Sequence, residues 1–346
     1  MKKIFILVFL LCLLPIHANA AQITAPEAPD SAQEFMPEET ETFAEGLWHI
    51  LKAAISDLQP SIAEASKTAL SILAVVLFIS IMRYVSETSA QTVELAGVTA
   101  ISLLLLQSTK SLIVLGADTS LELSEYSKLL LPVMTAALSS QGYVITSAAL
   151  YTGTAIFNTV LTSLISNLLI PMVYIYLCLS IANSALNEDL LANLRNFAKW
   201  LMTWGLKIIL YTFTGYITIT GVISGSADAT AVKAAKIAIN GVVPVVGGIL
   251  SDASEAVLVS AGVVKNAAGM YGLFAILSLC ISPFVRIGVH YLILKITTAI
   301  SGILGVKRSV NLLKDFTAAM GIILAMTGTV CLLILISTVC FMKGAA

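Results

Sequence analysis

Long apolar stretches dominate the chain, and short polar segments separate them. A helix needs about 20 consecutive apolar residues to cross the hydrocarbon core of a bilayer, and several of these stretches reach or approach that length. The pattern predicts an all-α, polytopic integral membrane protein with about six to eight transmembrane helices. The apolar stretches cover residues 69–84, 95–115, 129–182, 200–224, 242–305 and 317–342.

Two of these stretches contain signs of irregular backbone. Residues 129–182 hold no charged residue, which fits two spans or one span with a re-entrant hairpin. Residues 242–305 are interrupted by Pro244, Gly247 and Gly248. Because proline and glycine weaken helices, we predict two possible re-entrant Pro/Gly hairpins, at residues 132–141 and 244–255.

The N-terminus has the pattern of a signal peptide at residues 1–20. Lys2 and Lys3 precede a short apolar segment, and Ala18 and Ala20 provide the small residues of a cleavage site. An uncleaved anchor is the alternative. Either reading places residues 21–60 outside as an exported acidic tail and amphipathic helix.

The two parts of this tail have different patterns. Its first part, with Pro26, Pro29 and Pro37, is predicted to be flexible. Apolar residues then recur at helical spacing from Phe43 to Leu58, which predicts a helix. That helix would lie on the membrane surface or, equally, pack against the spans.

Charged residues suggest the sidedness of the remaining segments. Residues 61–117 are predicted to form two N-terminal membrane spans, followed by an acidic outer loop at 118–128. Basic amphipathic loops at 184–199 and 306–316 are placed in the cytosol, because loops rich in Lys and Arg stay inside.

Composition narrows the class of protein. The chain is 58% hydrophobic and 11% charged, whereas soluble proteins carry about 25% charged residues. A soluble enzyme, a disordered chain and a nucleic-acid binder are therefore disfavoured, and the lipid bilayer is the expected environment. The sequence lacks a P-loop, a GxGxxG fingerprint, HExxH and GxSxG. The five cysteines are scattered in apolar runs. We expect no enzyme activity, cofactor or metal site.

An internal repeat is the most informative pattern. An offset of 112 residues aligns Pro132 with Pro244 and Pro171 with Pro283, within 11 identities over 44 positions. We therefore predict an internally duplicated protein whose first membrane repeat covers residues 118–225 and whose second covers residues 230–342. Chance identity in two apolar segments is the competing explanation.

The repeat suggests where a polar path would lie. Transporters built from repeats bind substrate where Pro/Gly-interrupted segments occupy matching positions in the two halves. By that analogy, the Pro/Gly segments of the two halves would line a polar path in this protein. The alternative is that Asp252 and Glu255 lie at a hairpin turn near the surface. The predicted pathway candidates are Pro132, Ser139, Ser140, Pro244, Gly247, Gly248, Ser251, Asp252, Glu255 and Lys265.

Two segments carry a resemblance to a known family. They are the Pro-Val-Met-Thr-Ala-Ala-Leu stretch at 132–138 and residues 235–262, followed by Lys265-Asn266-Ala267. Their order along the chain resembles the stage III sporulation protein AE family, and the resemblance covers nearly the whole chain beyond the signal.

The resemblance implies a role in endospore development. It implies a permease-like core in the channel or feeding complex that joins mother cell and forespore, located in the mother-cell membrane around the forespore. The implied partners are other stage III sporulation membrane proteins, a cytosolic secretion-type ATPase and a forespore-side channel protein. Two alternatives stay open: a membrane scaffold for ring proteins that conducts nothing itself, and an autonomous small-molecule transporter.

Overall fold

The computed structural model describes residues 26–37, 42–85, 90–140, 144–186, 191–219 and 267–344. Every regular element among these residues is a helix. In chain order they are α1 (Asp30–Gln33), α2 (Phe43–Ser56), α3 (Leu58–Val85), α4 (Ala90–Ser140), α5 (Val144–Leu164), a π-helical turn (Ile165–Leu169), α6 (Ile170–Leu186), α7 (Ala192–Ile219), α8 (Ala267–Ile303) and α9 (Lys307–Gly344).

Five helical segments of the described chain are long and apolar enough to cross a membrane. One of them combines α5, the π-helical turn and α6. The charge-free stretch at 129–182 therefore forms the end of α4 and most of this one continuous segment. The prediction of six to eight spans is confirmed only as a polytopic helical arrangement. The five segments are Leu58–Val85, Gln91–Leu138, Ser147–Leu186, Gly269–Ile303 and Lys307–Met342.

Helix α9 occupies the centre of the bundle. Its most apolar segment is wholly buried, and α9 packs against α8, α4, α5, α6 and α7. Large aliphatic side chains such as Leu313, Ile323 and Leu333 are almost inaccessible. A helix that is apolar on all sides is stable among other apolar groups, and in α9 the neighbouring helices provide them.

Helix α4 corrects two predictions. Residues 118–128 are helical rather than a loop, because Asp118, Glu122 and Glu125 share the exposed side while Leu123 and Tyr126 are buried at intervening positions. The predicted acidic loop is therefore a helix with charged residues on one side and buried residues on the other.

The helix also continues through Pro132 to Ser140, so the backbone interruption predicted at Pro132 is wrong. Proline lacks the N–H that would bond to the carbonyl of Lys128, and Pro132 lies on the exposed side of the helix. The helix therefore continues past Pro132 although this one hydrogen bond is missing.

The predicted basic loops are mostly helical as well. Helix α6 runs to Leu186, and α7 begins at Ala192, so Arg195 and Lys199 belong to a helix. Helix α9 begins at Lys307, directly after a turn in which Gly305 has φ of 74°. Positive φ suits glycine, which explains where α8 and α9 separate.

The N-terminal tail is docked on the bundle, and this corrects its predicted flexibility at residues 26–37. The Tyr126 hydroxyl donates to the Pro26 carbonyl at 3.3 Å, and the Ala28 N–H donates to the Tyr271 hydroxyl at 3.1 Å. Ala32 and Phe35 are buried. Buried apolar residues and hydrogen bonds between tyrosine side chains and the backbone therefore hold a proline-rich segment in place.

Helix α2 confirms the amphipathic helix predicted from Phe43 onward. Its Phe43 ring stacks on Phe274 of α8, with centroids 5.6 Å apart, while Trp48 and Ile55 are exposed. Of the two alternatives, the structure shows the helix packed against the bundle. The Asp57 carboxylate at its end pairs with Arg286 at 3.1 Å.

The contact between Gly153 of α5 and Tyr216 of α7 yields a stability prediction. A Cβ at Gly153 would overlap the Tyr216 ring, whose hydroxyl donates to the Ala149 carbonyl at 2.6 Å. Because that hydrogen bond fixes the ring, we expect Gly153→Ala to destabilise the protein by about 1–3 kcal/mol. Thermal unfolding of the detergent-solubilised chain measures the effect.

The matched control is Gly215→Ala, also within a helix, where an added Cβ meets nothing within 4 Å. Alanine there favours the helix slightly, so the melting temperature stays equal or rises. Equal melting temperatures for the two variants would contradict the predicted clash.

Candidate functional site

Polar side chains are buried between α4, α5 and α9, and we call this set the polar seam. Ser120, Ser124 and Ser127 follow each other at helical spacing on the buried face of α4. Helix α5 contributes Thr154 and Asn158, and α9 contributes Ser337. All six residues are at most 1% exposed.

Two direct contacts join the three helices of the polar seam. The hydroxyls of Thr154 and Ser337 lie 2.6 Å apart. The Asn158 amide donates from Nδ2 to the Ser124 hydroxyl at 3.2 Å. Hydrogen bonds between helices lower the cost of burying these groups in an apolar bundle, and they set the rotation of each helix about its axis.

The polar seam is not fully paired. The Oδ1 atom of Asn158 and the Oγ atom of Ser127 are buried and have no partner among the described residues. Leaving such a group unpaired costs about 1–3 kcal/mol. An unpaired acceptor facing a polar neighbourhood is a feature expected where a small hydrogen-bonding molecule enters.

A second set of polar side chains lies toward the other end of α9, and we call this set the ion-pair cluster. The Arg195 guanidinium on α7 donates from Nη1 to Asp315 Oδ2 at 2.7 Å, and the Tyr176 hydroxyl donates to Asp315 Oδ1 at 3.2 Å. The Arg195 and Asp315 side chains are 15% and 13% exposed. Burial of both charges makes this a paired site rather than a surface salt bridge.

The separation of these two sites matches a bilayer. Asp315 and Ser337 lie on the same helix, and 22 residues at about 1.5 Å each place them roughly 33 Å apart. The hydrocarbon core of a bilayer is about 30 Å thick. Between the two sites, the Thr327 and Thr329 hydroxyls bond to carbonyls of their own helix. The interior between the sites is therefore mostly apolar.

Both sites lie between the two predicted repeats. Thr154, Asn158, Tyr176 and Arg195 fall within residues 118–225, whereas Ser337 and Asp315 fall within 230–342. These polar contacts involve residues other than the predicted pathway candidates, and the pathway between the halves stays a prediction. The common origin of the halves stays a prediction.

The structure describes three of the ten predicted pathway residues. Pro132 lies on an exposed side of α4, and Ser139 and Ser140 are its last two residues. Pro132 does not belong to the polar seam. Seven further candidates lie outside the described residues: Pro244, Gly247, Gly248, Ser251, Asp252, Glu255 and Lys265.

Sequence reasoning missed the polar seam, although one signal was available. Asn158 is an amide in the middle of a long charge-free stretch, where a polar group is costly unless paired. The ion-pair cluster had a weaker signal, since Arg195 and Asp315 are 120 residues apart in the chain.

A cavity of about 30 Å³ lies between α3, α4, α8 and α9. Its lining combines aliphatic side chains with five polar residues: Thr68, Ser108, Thr109, His290 and Thr297. This space holds a water molecule but no metabolite. Among the described residues, no group of three or more His, Cys, Asp or Glu side chains could hold a metal ion.

The described helices and their buried polar sites define a polytopic helical membrane protein. A family model described as stage III sporulation protein AE matches residues 32–345. The chain belongs to that family, and a role related to sporulation follows from this membership.

A curated relative gives the same family. Stage III sporulation protein AE from Bacillus subtilis (strain 168) is 24% identical over 176 residues. The match covers 51% of this chain and 44% of the relative, so it spans less than half of the relative's length. No solved structure matches the chain.

The ion-pair cluster generates a second stability prediction. Arg195→Ala leaves the Asp315 carboxylate buried without its cation, so we expect a loss of about 3–5 kcal/mol. The double variant Arg195→Met with Asp315→Leu removes both charges and should recover most of that loss. Thermal unfolding in detergent measures all three proteins.

The control is Arg286→Ala, because its side chain in the pair with Asp57 is 42% exposed. An exposed pair contributes about 0–1 kcal/mol, so this variant should melt close to the wild type. If Arg195→Ala does the same, the Arg195–Asp315 pair is not buried as described.

Proposed function

We propose that this chain is the membrane-embedded, permease-like core of the complex that joins the mother cell to the forespore during endospore development. Membership of the sporulation family supports the process. The polar seam, buried between helices of the two predicted halves, is the single structural observation that supports a conducting role.

The chemistry of the polar seam suits a path for small polar molecules. Hydroxyl and amide groups offer both donors and acceptors without a fixed charge, so they exchange hydrogen bonds with a passing solute or water. The unpaired Asn158 Oδ1 offers such a place. The apolar interior between the polar seam and the ion-pair cluster would close the path until partners separate the halves.

Partners follow from the same proposal. The sequence contains no P-loop, so energy for transport would come from a separate chain, a cytosolic secretion-type ATPase. Other stage III sporulation membrane proteins and a forespore-side channel protein would complete the complex. This chain would reside in the mother-cell membrane that surrounds the forespore.

A second candidate function is a membrane scaffold that organises ring proteins and conducts nothing. The packing of α9 favours it, since the most apolar segment of this helix is completely buried by its neighbours. The cavity beside His290 is also water-sized. A scaffold needs a rigid bundle and no internal path.

Replacing Asn158 with Leu distinguishes the two functions. Leucine has a similar volume but no hydrogen-bonding group, so a conduit should lose its polar contact while the bundle stays folded. We expect an endospore-forming host carrying Asn158→Leu to assemble the complex and yet form at least about tenfold fewer heat-resistant spores. Co-purification of partners measures assembly.

The matched control is Asn167→Leu, the same chemical change at an exposed position of the π-helical turn. It should leave spore counts unchanged. If Asn158→Leu assembles the complex and also sporulates at the wild-type level, the polar seam is no conduit and the scaffold function stands.

Asp252 and Glu255 test the path predicted from sequence, although they lie outside the described residues. We expect the double variant Asp252→Asn with Glu255→Gln to stop forespore development with the complex assembled. Normal sporulation would remove these carboxylates from the path, and loss of assembly would instead support the scaffold. Spore counts and co-purification distinguish these outcomes.

A further inference from the structure

Exposed cations cluster at the end of the bundle where α8 turns into α9, and we call this region the basic corner. Lys307 and Lys314 are both exposed and are separated by two turns of α9, so they share one face. The Arg83 side chain of α3 is 41% exposed beside them, with its guanidinium donating to the Gly305 carbonyl at 3.2 Å.

Two described carboxylates near the basic corner, Glu94 and Asp315, are already bound. Glu94 lies between Arg83 and Arg308, with N–O distances of 3.1 and 3.0 Å. Asp315 is held by the ion-pair cluster. Among the described residues, Lys307 and Lys314 therefore have no carboxylate partner, and their charge is available to an external anion.

An exposed apolar stripe on α8 leads toward the turn that precedes Lys307. Ile296, Ile300 and Ile303 of α8 are 59%, 42% and 85% exposed and follow each other at helical spacing. Ile303 precedes Lys307 by a single turn of chain. On α3, Ile81 and Tyr84 are 54% and 95% exposed.

Helix α3 is fastened to the same turn. The Ser80 hydroxyl donates to the Leu304 carbonyl at 3.1 Å, next to the Arg83 contact with Gly305. The ends of α3 and α8, each with exposed apolar side chains, therefore meet where the cations begin. A ligand that fits here needs an anionic head and apolar tails within one molecule.

We infer that the basic corner binds an anionic phospholipid. Its acyl chains would lie along Ile296, Ile300 and Ile303, and its phosphate would contact Lys307 and Lys314. An acidic protein segment would satisfy the lysines but not the apolar stripe, which belongs to a helix apolar enough to span the membrane. Each lysine near an anionic lipid strengthens binding about fivefold.

The test uses the full chain purified in a neutral detergent and titrated with phosphatidylglycerol or phosphatidylcholine. Native mass spectrometry counts the bound lipid. We expect the wild type to retain phosphatidylglycerol in preference to phosphatidylcholine. The double variant Lys307→Gln with Lys314→Gln should bind phosphatidylglycerol about 30-fold more weakly, with its melting temperature unchanged.

The control is the double variant Lys52→Gln with Lys128→Gln, since both lysines are exposed and lie away from the basic corner. It should bind phosphatidylglycerol like the wild type. An equal loss in both double variants would show nonspecific charge attraction and overturn the site, as would equal binding in all three proteins.

Two further outcomes distinguish the source of the anion. Inorganic phosphate at the same concentration should not displace the lipid, because it lacks acyl chains; displacement would show a plain anion site and overturn the proposal. Loss of a co-purifying protein from Lys307→Gln with Lys314→Gln, with lipid binding unchanged, would assign the corner to a protein partner and also overturn it.

Discussion

The described structure depends on the burial of α9. This helix is apolar over most of its length, and the remaining helices bury its most apolar segment completely. Within the described part of the chain, α4, α5, α6, α7 and α8 all pack against it. Its position explains why a chain with so few charged residues forms an ordered bundle rather than a set of independent spans.

Three polar residues, spaced along α9, bind side chains of three neighbouring helices. Arg308 pairs with Glu94 of α4, Asp315 pairs with Arg195 of α7, and Ser337 contacts Thr154 of α5. Apolar packing alone allows helices to slide and rotate at little cost, whereas a misplaced buried polar group loses its partner. These contacts therefore specify one arrangement of the bundle.

The helical segments that could be predicted from the sequence are those with apolar residues on both their exposed and their buried sides. The charge-free run at 317–342 lies within α9, and 69–84 lies within α3. Residues 118–128 of α4 were not predicted to be helical, because their surface charges interrupt the apolar run that signals a span. Hydropathy measures the average polarity of a segment, and it cannot separate an amphipathic helix from a loop.

The polar sites were harder to predict than the helices. The polar seam combines residues from three helices, and no spacing within one helix reveals which hydroxyls will meet. The predicted pathway relied on prolines instead, and Pro132 stands on an exposed helix surface. Proline changes local backbone, but tertiary packing decides whether the helix ends there.

The length of α4 has a mechanical consequence. Its 51 residues extend for roughly 77 Å, more than twice the thickness of the hydrocarbon core. Near one end, Glu94 is bound to Arg308; farther along, Glu122 accepts a hydrogen bond from Ser31 of the docked tail. Both contacts belong to one unbroken helix, so a change in the tilt of α4 would displace the docked tail and the Glu94–Arg308 pair together.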